Sequence, residues 1–141
     1  MSDVPEEAQV KLVPTGEIQM LGVPLGSPEF VDEFVGKKLL SRLDCTMQKL
    51  IEFEDSQAAM YLLRISFGIV RAVHFMRTTP LAHWERHAVH FDATVRATAE
   101  HILGCPFPDV AYTQACLTTK LGGLGLRRTV DHASRVCRQL A

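Results

Sequence analysis

Three sets of residues in this sequence have types and spacings that could do chemistry: a run of histidines, a glycine stretch beside arginines, and a recurrent series of arginines. His83, His87 and His90 fall at i, i+4 and i+7, on one face of a helix. An i,i+4 histidine pair can share a zinc ion. A metalloenzyme would also need a carboxylate base beside it. Glu85 projects from another face, however, and Glu100 lies about three turns further on. The three histidines read more simply as a partly exposed polar face with Trp84 packed on the other side. No metal and no cofactor are expected.

The stretch Leu121-Gly-Gly-Leu-Gly-Leu-Arg-Arg-Thr-Val-Asp-His-Ala133 poses a sharper choice between a phosphate cradle and a hinge. A dinucleotide loop needs G-x-G-x-x-G between a strand and a helix, and a P-loop needs G-x-x-x-x-G-K-[ST]. Gly122, Gly123 and Gly125 fit neither pattern, and the segment before them reads as helix. Their expected task is geometric: left-handed dihedrals and a tight reversal between helices, with Leu121, Leu124 and Leu126 plugging the core. No Ser, His and Asp form a nucleophile elbow. The neighbouring carboxylates (Glu6-Glu7, Asp32-Glu33, Glu54-Asp55) point apart on a helix and serve helix starts and solvated faces.

The arginines are the remaining clue. Residues 1–60 hold five Lys/Arg against eleven Asp/Glu, whereas residues 61–141 hold ten against five, and nine of those ten are arginine. Arg64, Arg71, Arg77, Arg86 and Arg96 recur through the middle, and Lys120, Arg127, Arg128, Arg135 and Arg138 gather near the end. Guanidinium forks suit phosphate oxygens, so a nucleic-acid backbone is a candidate partner. The competing reading is charge complementarity between two packed halves. Trp84, Phe75 and Phe91 sit at core spacing, which leaves no aromatic stacking platform and no sequence-specific readout.

Composition sets the frame for these residues. At 141 residues, 47% hydrophobic and 22% charged, the chain has the size and balance of one globular domain. No apolar run approaches the roughly 20 residues of a membrane span, and the acidic start "MSDVPEEAQVK" is no signal peptide. The expectation is an intracellular protein, cytoplasmic or nuclear, with no membrane partner. Cys45, Cys105, Cys116 and Cys137 show no ligand rhythm and read as small buried apolar residues.

Residues 1–26 read as an N-terminal tail and β-hairpin, with strands at 8–13 and 17–23 around Pro14-Thr15-Gly16. Residues 27–141 read as a helical bundle in one compact domain overall. Ser27 caps a helix that starts at Pro28 and carries Val31, Phe34, Val35, Leu39, Leu43, Met47, Leu50 and Ile51 to about residue 53. Asp55 or Ser56 caps a second, at about 56–77, whose apolar residues lie nearly all round and mark it as central. A third runs from about 80 to 103 and ends at Gly104; a short helix follows Asp109, and a last one starts at Arg128 or Thr129. The fold class is therefore mainly α: a helical bundle of four to five helices preceded by a short N-terminal β-hairpin.

Two separated segments carry a family resemblance. "IQMLGVPLGSPEFVDEFVGKKLLSRL", with "SQAAMYLLRISFG", "HFMRTTP" and then "TQACLTTKLGGLGLRR", resembles the region downstream of the palm in reverse transcriptase-like proteins of non-LTR retroelements. Leu21-Gly22-Val23 matches the strand of the primer-grip hairpin, and Gly122-Gly123-Leu124-Gly125-Leu126-Arg127 matches a segment joining helices of the connector. The order holds across residues 17–133. The resemblance implies a thumb/connector-like module that grips nucleic-acid duplex. The palm's paired aspartates have no counterpart in this sequence, so the implied chain is a non-catalytic fragment or remnant of an RNA-directed DNA polymerase, with no two-metal site of its own. Its partners would be RNA/DNA duplex backbone or the missing palm domain. A helical protein–protein interaction domain is the alternative, using the hairpin edge or an apolar groove.

Overall fold

The apolar stripe of the first helix repeats every four residues, and that spacing shapes the helix. The structure, a computed structural model, describes residues 16–132. Ser27 caps the helix start, its Oγ accepting from the Phe30 amide at 3.3 Å, and Pro28 follows at the first helical position. Helix α1 (Pro28–Val35) runs through a π-helical segment (Gly36–Leu40) straight into α2 (Ser41–Ile51). Val31, Val35, Leu39, Leu43 and Met47 are all buried. In an α-helix each four-residue step overshoots a full turn by about 40°. The wider π turn takes that overshoot back and keeps the stripe on one face.

The second long helix is built alike. The Asp55 carboxylate accepts from the amides of Gln57 and Ala58 at 2.9 and 3.1 Å and so opens α3 (Ser56–Leu62). A second π-helical segment (Leu63–Phe67) ends at Gly68, and α4 (Ile69–Thr78) continues beyond it. Contrary to the sequence reading, the 23 residues Ser56–Thr78 are long and apolar enough to cross a bilayer by length and composition. They nevertheless send Ala59, Leu63, Ile69, Ala72 and Met76 into the core and carry Arg64 and Arg71 within the span.

The central element is α5 (Leu81–Leu103), not the second long helix as its composition suggested. Trp84, Ala88, Phe91, Val95 and Ala99 are buried along α5, which packs on both long helices. Val70, expected inside, is 54% exposed. Gly104, at φ 67°, closes α5 in the left-handed cap expected of it. Pro108 precedes α6 (Asp109–Ala115), so Asp109 is its first residue and not its cap. A 3-10 turn (Thr119–Leu121) leads into the glycine loop, and helical backbone resumes at 129.

A hairpin forms, but its turn falls inside the expected strand 17–23. Strand β1 (Ile18–Met20) pairs antiparallel with β2 (Val23–Leu25), Met20 opposite Val23. Leu21 and Gly22 are the turn, at φ 50° and 84°, both positive as a type I′ turn requires. The expected strand 8–13 lies outside the described residues, and Ile18 and Met20 are exposed instead of covered. The hairpin leans on the bundle through buried Pro24 and through the Ser27 hydroxyl, which donates to Glu17 at 2.7 Å.

Candidate nucleic-acid interface

Four basic side chains from two helices meet at one cavity of about 330 Å3 beside the hairpin turn. Lys38 and Arg42 are four residues apart, so they share a face where the first π segment passes into α2. Arg71 and His74 face them from α4, one turn apart for the same reason. Gly22 closes the rim: a β-carbon there would lie 3.6 Å from His74 Nε2. Leu39, Leu43, Phe67 and Phe75 form the apolar wall. Lys38 rides over the Phe34 ring at 4.8 Å and Arg71 over Phe67 at 5.2 Å, which fixes both cations without neutralising them. Among the described residues none of Lys38, Arg42, Arg71 and His74 is ion-paired with a carboxylate. Such a set attracts an anion with an apolar or planar body.

The cations expected from sequence are placed differently. Lys120 is exposed on the 3-10 turn, and Arg127 is exposed at a second cavity with Arg64, Thr118 and Thr119. Arg128 is committed within the fold: it lies over Tyr112 at 5.6 Å, donates to Thr113 at 3.2 Å and pairs with Asp131 at 3.5 Å. Arg135 and Arg138 lie outside the described residues. Sequence reading missed the hairpin-side cavity because Lys38 and Arg42 come from the acidic half of the chain. Phe75 packs against the core, as expected of it, and with Phe67 also lines this cavity. Trp84 and Phe91 are buried as expected, but Phe67 and Phe75 are half-buried in the cavity wall.

The glycine loop is the reversal expected of it. The amides of Gly122, Gly123, Leu124, Gly125 and Leu126 donate to carbonyls of Thr119, Thr118, Ala115, Leu117 and Ala115 at 2.9–3.2 Å. These donors close the end of α6 and are not presented to a phosphate. A β-carbon at Gly123 would overlap the Leu117 carbonyl, so the close approach there requires glycine. Leu126 plugs the core, whereas Leu121 and Leu124, expected beside it, are exposed.

The histidine row does not assemble into a metal site. His87 Nε2 donates to Asp32 Oδ1 at 2.9 Å, and Arg86 donates to Asp32 Oδ2 at 2.7 Å, which ties α5 to α1. Burial alone would raise the Asp32 carboxyl, but these two partners outweigh it and leave it below its ordinary value. His90 is exposed and His83 half-buried. No group of three His, Cys, Asp or Glu among the described residues could hold a metal ion. Cys45 and Cys105 are exposed, not buried as expected; Cys116 is half-buried, with its thiol raised by burial. Cys137 lies outside the described residues.

The buried polar centre is instead Asp92 of α5. Its Oδ1 accepts from the Thr129 amide and hydroxyl, both at 2.7 Å, and its Oδ2 from the Val130 amide at 3.2 Å. A carboxylate from the central helix thus caps the helix that begins at 129. Burial pushes this carboxyl above its ordinary range, and the three donors only partly pull it back.

No protein-family model, no curated protein and no solved structure matches this chain. The geometry of its own residues is therefore what argues its function.

Proposed function

We propose that this chain is a non-catalytic helical module that holds nucleic-acid backbone, a fragment or remnant of the thumb and connector of a reverse transcriptase-like protein. The observation that carries the binding is the convergence of Lys38, Arg42, Arg71 and His74 on one cavity with no ion-paired carboxylate. Cations left without a carboxylate partner are available to phosphate oxygens. Charge complementarity within the fold accounts for little of this excess. Among the described residues, the ion pairs that join the acidic and basic halves are those of Asp32 with Arg86 and His87. Arg64 and Arg127 line a second cavity that also touches α4, and Lys120 is exposed on the 3-10 turn. The ancestry rests on the short motifs at Leu21-Gly22-Val23 and Gly122–Arg127, and the missing palm aspartates make the chain inactive alone. Its place would be intracellular, cytoplasmic or nuclear.

Titration of a labelled primer–template duplex at two salt concentrations tests this reading. Three phosphate contacts, from Lys38, Arg42 and Arg71, predict a loss of affinity of about 40-fold between 50 and 200 mM salt. Absence of binding at low salt overturns it.

One set of exposed side chains favours the second reading, a protein–protein interaction domain. Tyr61, Ile65, Leu103 and Leu124 are large, apolar and exposed, and three of them line one shallow cavity with Met60. If that face is the working one, Tyr61→Ser and Leu103→Ser abolish partner capture and leave duplex binding unchanged.

A further inference from the structure

The cavity beside the hairpin turn has more than a backbone needs. A phosphate track asks only for exposed cations, yet here the cations rim a recess walled by Leu39, Leu43, Phe67 and Phe75. At about 330 Å3 the recess falls at the small end of the roughly 300–1,000 Å3 range of ligand pockets. The two π-helical segments described in this chain both reach it, the first through Lys38 and Leu39, the second through Phe67. Each π turn shifts the side chains that follow it out of the ordinary helical register, and this is how cations and rings come to face one another across the recess.

We infer that this recess takes one unpaired nucleotide of a single strand, its base against the Phe67 and Phe75 wall and its phosphate on Arg42, Arg71 and Lys38. This rests on the backbone-binding reading above and narrows it from duplex to unpaired strand. Three features carry it. The half-buried Phe67 and Phe75 rings on the wall are planar surfaces of the kind on which unstacked bases rest, with Arg71 lying 5.2 Å over Phe67. Thr46 spends its hydroxyl hydrogen on the Arg42 carbonyl at 2.8 Å, which leaves the oxygen as an acceptor for a base N–H at the cavity edge. The rim cations are not ion-paired with a carboxylate among the described residues. A paired base inside a duplex presents its phosphates but keeps its ring in the stack, so duplex can use the rim and not the recess.

Fluorescence anisotropy at 50 mM salt tests this, comparing a labelled ten-nucleotide single strand with a blunt duplex of the same sequence. The single strand should bind at least tenfold more tightly. Phe75→Leu, which keeps an apolar side chain but removes the ring, should weaken the single strand roughly fivefold or more and leave the duplex unchanged. Because Phe75 also rests on the core, its circular dichroism melt is recorded alongside. The wild-type protein supplies a second readout that needs no variant: adenosine monophosphate should displace the single strand at concentrations where inorganic phosphate does not. Equal binding of duplex and single strand, or equal competition by inorganic phosphate, overturns the nucleotide recess while the backbone reading stands. Binding of neither nucleic acid overturns both.

Discussion

Replacing Asp92 by Ala removes the acceptor for three donors at once. The Thr129 amide and hydroxyl lie 2.7 Å from Oδ1, and the Val130 amide lies 3.2 Å from Oδ2. Thr129 is fully buried, so its amide would lose its partner away from water, while its hydroxyl could still turn to the Ala88 carbonyl at 3.2 Å. A hydrogen bond to a charged group contributes about 1.5–3 kcal/mol, and an orphaned buried donor costs about 1–3 kcal/mol. Relief of the Asp92 desolvation offsets part of this, giving a net loss of about 3 kcal/mol. Urea unfolding reads this loss as a midpoint lowered by roughly 1.5 M, for a slope of about 2 kcal/mol per molar. Asp92→Asn keeps an oxygen for Thr129 but turns an amide toward Val130, and should lose about half as much. The pH dependence has a defined sign. Burial raises the folded carboxyl above its ordinary value of 3.8, so the site contributes most below that value. Its contribution falls as pH rises through the folded pKa, and the gap between wild type and Asp92→Asn narrows in the same window. A midpoint for Asp92→Ala within about 0.25 M of wild type would refute the capping role.

Other substitutions test the remaining elements. Gly123→Ala should destabilise the fold by at least about 2 kcal/mol, because its β-carbon would meet the Leu117 carbonyl and lie 2.7 Å from the Gln114 carbonyl; thermal melts read this directly. Leu21 is 92% exposed at φ 50°, where Asn is better tolerated, so Leu21→Asn should stabilise by roughly 1 kcal/mol and raise the melting temperature by a few degrees. Asp32, held below its ordinary 3.8, contributes fully above that value and loses its contribution as pH falls through its folded pKa. Asp32→Asn should accordingly flatten the acid limb of the stability profile.

The helix ends were readable in the sequence because their chemistry is local. Ser27, Asp55 and Gly104 act within three or four residues of their partners, and each does what its type predicts. The apolar stripe from Val31 to Leu50 was readable as well, but not the π segment beneath it, since one extra residue in a turn leaves the apolar pattern intact. The turn at Leu21-Gly22, which breaks the expected strand 17–23, was not legible because leucine gives no turn signal. Position in the bundle was misjudged from composition: the helix richest in apolar residues lies at the side, while α5, with its polar outer face, runs through the middle. Contacts between distant residues left no trace. Asp92 and Thr129 are 37 positions apart, His87 and Asp32 are 55 apart, and the basic cavity draws on the turn and two helices.

The salt dependence of duplex binding, measured for wild type and for the Arg42→Gln, Arg71→Gln double variant, tests the central claim most directly. Both arginines are exposed, so the double variant should keep its fold. With three phosphate contacts the wild-type slope of log affinity against log salt is about −2.7, and removal of two contacts brings it to about −0.9. Equal slopes for the two proteins would contradict the account, because the phosphate would then be held somewhere other than the cavity beside the hairpin turn.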